Sequence, residues 1–491
     1  MKIEDILKLS IDDQIAELQK KPDTIKVKYT DCEKQYKVKL HDVYSTTLRP
    51  SKQVKKKDEN GEEITSYVEP ARLGVSFQEI IVQRAAAFLI NDGIGLNPTL
   101  TETEGQQTVF EMIKAISNDN KLDYRTRAIA RHLFSECEVA ELWYFIEDTK
   151  GLWNWLKSKI SKVGIGSAKY MIRMKILANS LGDALWPYFN ETGDLVAFGR
   201  GYTVKIGNES TDLFDVYTAD KIILYAKVAG QWAFADVPQA NLLGKIPVIY
   251  YSQPYPEWYA VQSLIDRYEM LLSNYADTND YFGSPMIVLK GEVAGLNDKS
   301  STGKAIQLTG DGAAANYLTW DQAPEAIKLE LETLKNLIFS LTQTSDISFE
   351  QVKNLGSQIS GIAIKMMFAD AHLKAMNHQE VFGEMIQRRL NLLMAAIGNV
   401  IAVKYKADVD SMDVTPVFNL YMPSNDKEII ENLLLANGNK PIISQKTSIK
   451  LSPFDVNADD EIAAIEEDEK TAMNNQLQGS FNILNQNEEN A

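Results

Sequence analysis

The chain has 491 residues, 45% of them hydrophobic, which predicts about three domains with apolar cores of their own. Its 51 Lys and Arg residues stand against 67 Asp and Glu, a net charge of -16, which argues against wrapping the DNA phosphate backbone through clustered cations. Cys32 and Cys137 lie far apart in the sequence and outside any CxxC or Cys/His spacing, so a disulfide framework or zinc site is not expected and a reducing cytoplasm fits. Neither a signal peptide nor an apolar run of about 18 residues is expected from the sequence, so no membrane span is predicted.

Residues 1–20 predict a small amphipathic helix, and alternating charged and apolar residues from Ile25 to Leu40 predict a strand pair. RPSKQVKKKDENGEEITSY (49–67) reads as a solvated hairpin tip turning at Asn60-Gly61, because four acids follow its five cations at once. Helices are expected from Ser76 to about Leu89, from about Gln107 to Asn118 and from Tyr124 to Ser135. Strands are expected in VAELWYFIED (139–148), YMIRMKILA (170–178), TVKIG (203–207), DLFDVYTADKIILYAKV (212–228) and PVIYYSQ (247–253). Residues 1–253 thus form an α+β region.

The pattern changes at Pro254-Tyr-Pro256. Trp258, Val261, Leu264, Ile265, Tyr268, Leu271, Leu272 and Tyr275 then recur at helical spacing and mark a single apolar stripe. SPMIVLKG (284–291), KAIQLTG (304–310) and YLTW (317–320), separated by glycines, predict a small β-rich insertion. A second amphipathic helix begins near Pro324 and carries Ile327, Leu331, Leu334, Leu337, Ile338 and Leu341 on one face. After a soft loop, SDISFEQVKNLGSQ (345–358), residues 358 to about 404 contain no proline. As one straight helix they would reach roughly 70 Å, with Gly361, Gly383 and Gly398 as places to bend. VTPVFNLYMP (414–423) predicts a strand, two helices follow, and the last residues, 476–491, have the composition of a disordered tail.

The expected chemistry is structural. In STGKAIQ (301–307), Asp298 stands where a phosphate-binding loop needs its first glycine, and Ala305 where it needs Ser or Thr. His372 and His378 are six apart, which does not place two ligands on one helix face. Asp459, Asp460, Glu461, Glu466, Glu467, Asp468 and Glu469 lack the glycine turn of a calcium loop and read as a solvated helix face. GIGS (164–167) has no dinucleotide-binding context. No catalytic residue, metal ligand or cofactor site is predicted.

The order of segments resembles that of the portal proteins of tailed double-stranded DNA bacteriophages, specifically the siphophage-type head-to-tail connector. GKIPVIYYSQ with SLIDRYEMLLSNYADTNDYFGSPMIVLKG (244–253, 263–291), SQISGIAIKMMFADAHLKA and ISQKTSIKLSPFDVNADDEIAAIEEDE (443–469) carry the resemblance. QEIIVQRAAAFLINDGIGL (78–96) and ALWPYFNETGDLVAFGRGY (184–202) extend it more weakly, so that it covers about residues 75–475. One departure is SECEVAELWY, where the family tends to have a glycine before the strand.

The resemblance implies an α+β portal fold. Its parts would be a wing (1–253), a first stem helix (254–280), a clip (281–323), a second stem helix (324–344), a tunnel loop (345–358), a long kinked helix with a returning wing strand (359–423) and a helical crown (424–475). It implies a ring of about twelve copies at one capsid vertex, assembled in the host cytoplasm, with double-stranded DNA passing through the channel. The implied partners are the terminase large subunit, the major capsid and scaffolding proteins, and head-completion or adaptor proteins. A different structural virion or prophage-derived assembly protein, without a DNA channel, is the alternative.

Candidate residues follow. Asp346, Glu350, Lys353, Asn354 and Gln358 would face DNA in the tunnel loop; Asn297, Asp298 and Lys299 would dock the motor or adaptor at the clip. Trp258, Leu264, Tyr268, Leu271, Leu331, Leu334, Ile338 and Leu341 would pack the stem, on the expectation that so long a stripe finds its partner in other copies.

Overall fold

A computed structural model describes residues 3–57, 63–99, 103–147, 170–207, 209–282, 287–296, 306–317, 323–344, 366, 368–420, 426–438, 441–454 and 457–488. The chain divides into two compact units, Met1–Asp346 with Asp370–Tyr421 and Ile347–Ala369 with Met422–Ala491.

In the larger unit the chain starts not as one helix but as two, Ile3–Ile6 and Ile11–Leu18. Ser10 separates them, its side chain accepting the Asp13 N–H and so capping the second helix. Ile6, Ile15 and Leu18 then bury against Phe214, Val216, Ile223 and Tyr225 of a large antiparallel sheet. That sheet is a meander, Ala184–Phe189, Leu195–Ile206, Glu209–Tyr217, Lys221–Val228 and Gln231–Phe234, with Gln239–Ala240 added beside Lys221–Val228.

The strand pair expected between Ile25 and Leu40 is a helix, Tyr29–Tyr36, followed by two short 3-10 turns. Tyr29, Cys32 and Tyr36 fall three and four residues apart, on one helical face, and it is this spacing rather than the charge alternation that packing selects. The charged segment after it is the expected hairpin, Lys52–Lys57 against Glu63–Val68; its turn lies outside the described residues.

Three helices, Phe77–Leu89, Glu104–Asp119 and Leu122–Glu136, build the main core. The second is opened by a capping box in which Thr103 and Gln106 satisfy each other's backbone N–H. Strand Glu138–Glu147 sits between Val248–Ser252 and Tyr170–Leu177 in a three-stranded sheet, and Asp413–Phe418 pairs with Ile94–Thr99. The helix Ala369–Ala396 is continuous through Gly383 and ends in a π turn, Ile397–Ile401, that contains Gly398. Its buried Phe382, Ile386, Leu390 and Leu393 close the core.

Two amphipathic helices, Gln262–Phe282 and Ala323–Leu341, flank the insertion as the sequence predicts. The insertion itself has two long strands, Ile287–Leu296 and Ile306–Tyr317, in place of three short ones. Its glycines do not end the strands: Gly291, at φ +115, sits in a register shift between Lys290 and Glu292 and lets the strand continue through a bulge.

The smaller unit contains helices Asp426–Ala436, Gln445–Leu451 and Ala458–Glu488. The last runs on to Glu488, through the residues from 476 whose composition suggests a disordered tail. The stretch has no proline, and Met473, Leu477, Phe481 and Leu484 recur at helical spacing. The acidic residues Glu466 to Glu469 are exposed on it.

Candidate functional site

The helical hairpin Gln262–Phe282 and Ala323–Leu341 has two faces that are built differently. One face is used within the chain. Trp258 is fully buried, stacked on Tyr36 at 5.5 Å and donating its indole N–H to Gln35 Oε1 at 2.9 Å. Phe77 meets Tyr268 edge-on at 5.1 Å and Phe339 at 5.7 Å. Leu271, Leu334 and Ile338 are buried, and Leu264 and Tyr268 lie half-buried against the same core. Most of the stripe predicted to seek other copies is therefore satisfied at home, because the helices Tyr29–Tyr36 and Phe77–Leu89 supply its partners.

The outer face of the second helix is another matter. Leu329, Leu337 and Leu341 are 66%, 42% and 57% exposed, and with exposed Thr333 they form one ridge at four-residue spacing. Of the predicted stem residues only Leu341 belongs to it, and Leu331 lines a cleft of about 310 Å³ between the helices with Tyr268, Tyr275 and Ile327. Arg267 spans the two helices, donating from Nε and Nη2 to Glu330 Oε1 at 2.9 and 2.8 Å.

A second set of contacts, which the sequence reading did not find, fixes the first helix to the chain before it. The extended residues Ala71, Leu73 and Val75 donate alternate backbone N–H groups to Asp277 Oδ1, Ser273 Oγ and Glu269 Oε1 at 2.6, 2.9 and 2.7 Å. An extended chain repeats its donors every second residue and a helix repeats its side chains every fourth, so the two run past each other in register. Arg49 closes the far end, donating to Asp277 Oδ2 and Asn274 Oδ1, each at 2.7 Å. The available signal was Glu269, Ser273 and Asp277 themselves, polar residues at four-residue spacing on an otherwise apolar-striped helix.

His41 closes the near end. Its Nδ1 lies 2.7 Å from Glu269 Oε1 and its Nε2 2.7 Å from the Gln35 carbonyl, so both ring nitrogens face acceptors. Burial by itself would lower its pKa, but the Glu269 hydrogen bond and charge outweigh that and hold the imidazolium above its ordinary value.

The bases of the helices meet at Lys374. Its ammonium is 2.7 Å from Glu257 Oε2 and donates to the Thr342 carbonyl at 2.9 Å. His378 Nε2 lies 3.4 Å from the same Glu257 oxygen, with its ring on Phe134 at 4.3 Å. Burial pushes Glu257 up, yet the Lys374 charge and the His378 and Lys374 contacts bring its pKa down to about 2. Deeper still, buried Arg389 donates to both oxygens of buried Glu141 and to Thr126 Oγ1 at 2.9 Å. The Tyr251 hydroxyl and Trp143 indole also donate to that carboxylate, which holds the helix Ala369–Ala396 on the three-stranded sheet.

Asn297, Asp298 and Lys299, and Asp346, Glu350, Lys353, Asn354 and Gln358, lie outside the described residues. The strands that lead to the first group expose Val288 and Leu289.

A family model described as phage portal protein, SPP1 Gp6-like, matches residues 15–475. The chain belongs to this family. The portal protein of Bacillus phage SPP1 is 25% identical over 320 residues, which span 60% of this chain and 60% of that protein. Among solved structures, a chain in the neck of an empty gene transfer agent particle, computed with C6 symmetry, has a TM-score of 0.41 and 10% identity, covering 76% of this chain and 88% of that one. A chain in the neck of the native particle, computed with C12 symmetry, has a TM-score of 0.37 at the same identity and coverage. No helix among the described residues of this portal-family chain is long and apolar enough to cross a membrane.

Proposed function

We propose that the chain is the portal subunit of a virion: a ring of about twelve copies at one capsid vertex, through which DNA is packaged and ejected. The family match over residues 15–475 carries this reading. In it, the helical hairpin is the stem, the two-stranded insertion is the clip, and residues 345–358 are the tunnel loop. The exposed ridge Leu329, Thr333, Leu337 and Leu341 supports a neighbouring copy beside each stem, because a leucine ridge at four-residue spacing packs into the groove of another helix.

The charge is suited to a conduit. Each copy carries -16, so a ring repels phosphates and a genome slides rather than sticks. In the tunnel loop Asp346 and Glu350 nearly cancel Lys353, which leaves Lys353 as the cation to touch phosphate, beside Asn354 and Gln358. The clip residues Asn297, Asp298 and Lys299 are proposed to meet the terminase large subunit during packaging and head-completion proteins afterwards. The major capsid and scaffolding proteins would surround the ring, which assembles in the host cytoplasm. No catalytic role is assigned to the chain itself.

Electron micrographs of the purified protein should show rings with a central hole. Deleting Glu350 to Asn354 should leave those rings intact and reduce DNA packaging or retention. Monomers alone across protein and salt concentrations would overturn the ring, and fully packaged particles from the deletion would overturn the tunnel loop.

A further inference from the structure

We propose that Cys32 and Cys137 are an oxidation site, a dithiol that a hydroperoxide converts to an intrachain disulfide. The two residues are 105 positions apart, yet both are buried and their sulfurs lie 4.0 Å from each other. Sulfurs in contact need only side-chain rotation and a small approach to reach the bonding distance of about 2.05 Å. The pair also sits at an unusual backbone position. Cys137 ends the helix Leu122–Glu136 at φ 66, in the left-handed region where glycine alone is free of steric penalty. A thiol stands where the backbone alone would favour glycine.

The two sulfurs are not equivalent. Cys32 lines a cavity of about 240 Å³ with Tyr29, Tyr36, Arg131, His132 and Glu136, whereas Cys137 does not reach it. An oxidant therefore meets Cys32 first. The hydrogen bond between the thiols acts the same way: it holds the Cys32 thiol below its ordinary pKa, while the same bond and burial push Cys137 up. The Cys32 thiolate attacks one peroxide oxygen; the S–O bond forms, the O–O bond breaks and the other oxygen leaves as alcohol or water after taking a proton. Sulfur is oxidised by two electrons to the sulfenic acid as the peroxide is reduced. The Cys137 sulfur then attacks Cys32, the S–S bond forms, the S–O bond breaks, and hydroxide leaves as water with the Cys137 proton. Two thiols and one hydroperoxide give one disulfide, one alcohol or water and one further water.

The bond would staple the helix Tyr29–Tyr36 to the end of Leu122–Glu136. The same N-terminal segment carries His41 and Arg49, which clamp the helix Gln262–Phe282, so oxidation would secure that clamp as well.

The test uses the full chain treated with hydrogen peroxide, with thiols titrated after denaturation and linked peptides identified by mass spectrometry. Both thiols should disappear together, a Cys32–Cys137 peptide should appear that dithiothreitol releases, and the melting temperature should rise by roughly 5 °C or more. Cys137→Ser should stop at a Cys32 sulfenic acid trapped by dimedone, and Cys32→Ser should leave Cys137 unlabelled. Cys137→Gly, which suits the backbone there, keeps the test open if serine does not fold: it too should trap at Cys32. Two thiols still titratable after peroxide, a linkage between chains, or dimedone on Cys137 rather than Cys32 would overturn the proposal.

Discussion

Replacing Leu329, Leu337 and Leu341 together by alanine should weaken assembly without unfolding the subunit. Their exposures of 66%, 42% and 57% amount to a little over one and a half fully exposed leucines. At about 1.5–3 kcal/mol for burying one leucine, covering the ridge with a neighbour is worth roughly 2.5–5 kcal/mol per interface. Alanine keeps a part of each side chain, so a loss of about 2–3 kcal/mol per interface is expected, or roughly 30- to 150-fold in the association constant. Among the described residues the three leucines lie outside the core cluster, so the melting temperature of the dissociated chain should change little, alanine being at least as good a helix former as leucine. Native mass spectrometry across a dilution series, with Val237→Ala and Leu242→Ala as controls at exposed positions elsewhere, reads the shift directly. Rings that persist to the same dilution as the unmodified protein would show that the ridge faces something other than a second copy.

Two further perturbations probe the interior. Arg389→Met removes the cation from a fully buried carboxylate and should cost about 3–5 kcal/mol in chemical unfolding, while adding Glu141→Gln should restore a large part of it; a single variant within about 1 kcal/mol of the original would mean that Glu141 is not held as described. His41, with its pKa raised in the folded chain, contributes stability that is complete below its unfolded value of about 6.5 and is lost as pH rises through the folded one. The melting temperature should therefore fall as pH rises above about 6.5 in the unmodified protein and less so in His41→Gln, and parallel profiles for the two would refute the buried imidazolium.

Repetition over several turns is what made the hairpin legible. The helices Gln262–Phe282 and Ala323–Leu341 repeat their apolar residues often enough for the period to be unmistakable, and so do Phe77–Leu89 and Leu122–Glu136. Tyr29–Tyr36 spans barely two turns, and there a helical stripe and a strand alternation fit the same residues. Ala184–Phe189 contains Pro187 and Gln231–Phe234 has four residues, so neither gives a period at all. Glycines in the insertion read as ends of strands when they are bulges, a distinction that depends on the partner strand. The apolar stripe showed which residues would be covered, but not by what: burial by a neighbouring element of the same chain and burial by another copy leave the same pattern. Contacts between sites more than 100 positions apart, such as Cys32 with Cys137 or His41 with Glu269, leave no periodic trace and had to come from the fold.

Lys374 joins three parts of the chain through one ammonium: Glu257 just before the helix Gln262–Phe282, the Thr342 carbonyl just after Ala323–Leu341, and its own helix. Mechanically this is a pinned joint. A load that pulls on either arm of the hairpin reaches the helix Ala369–Ala396 at its first turns through one ion pair and one hydrogen bond. The hairpin and that helix would then move as parts of one lever, and a displacement at the two-stranded insertion would be felt at the start of Ala369–Ala396.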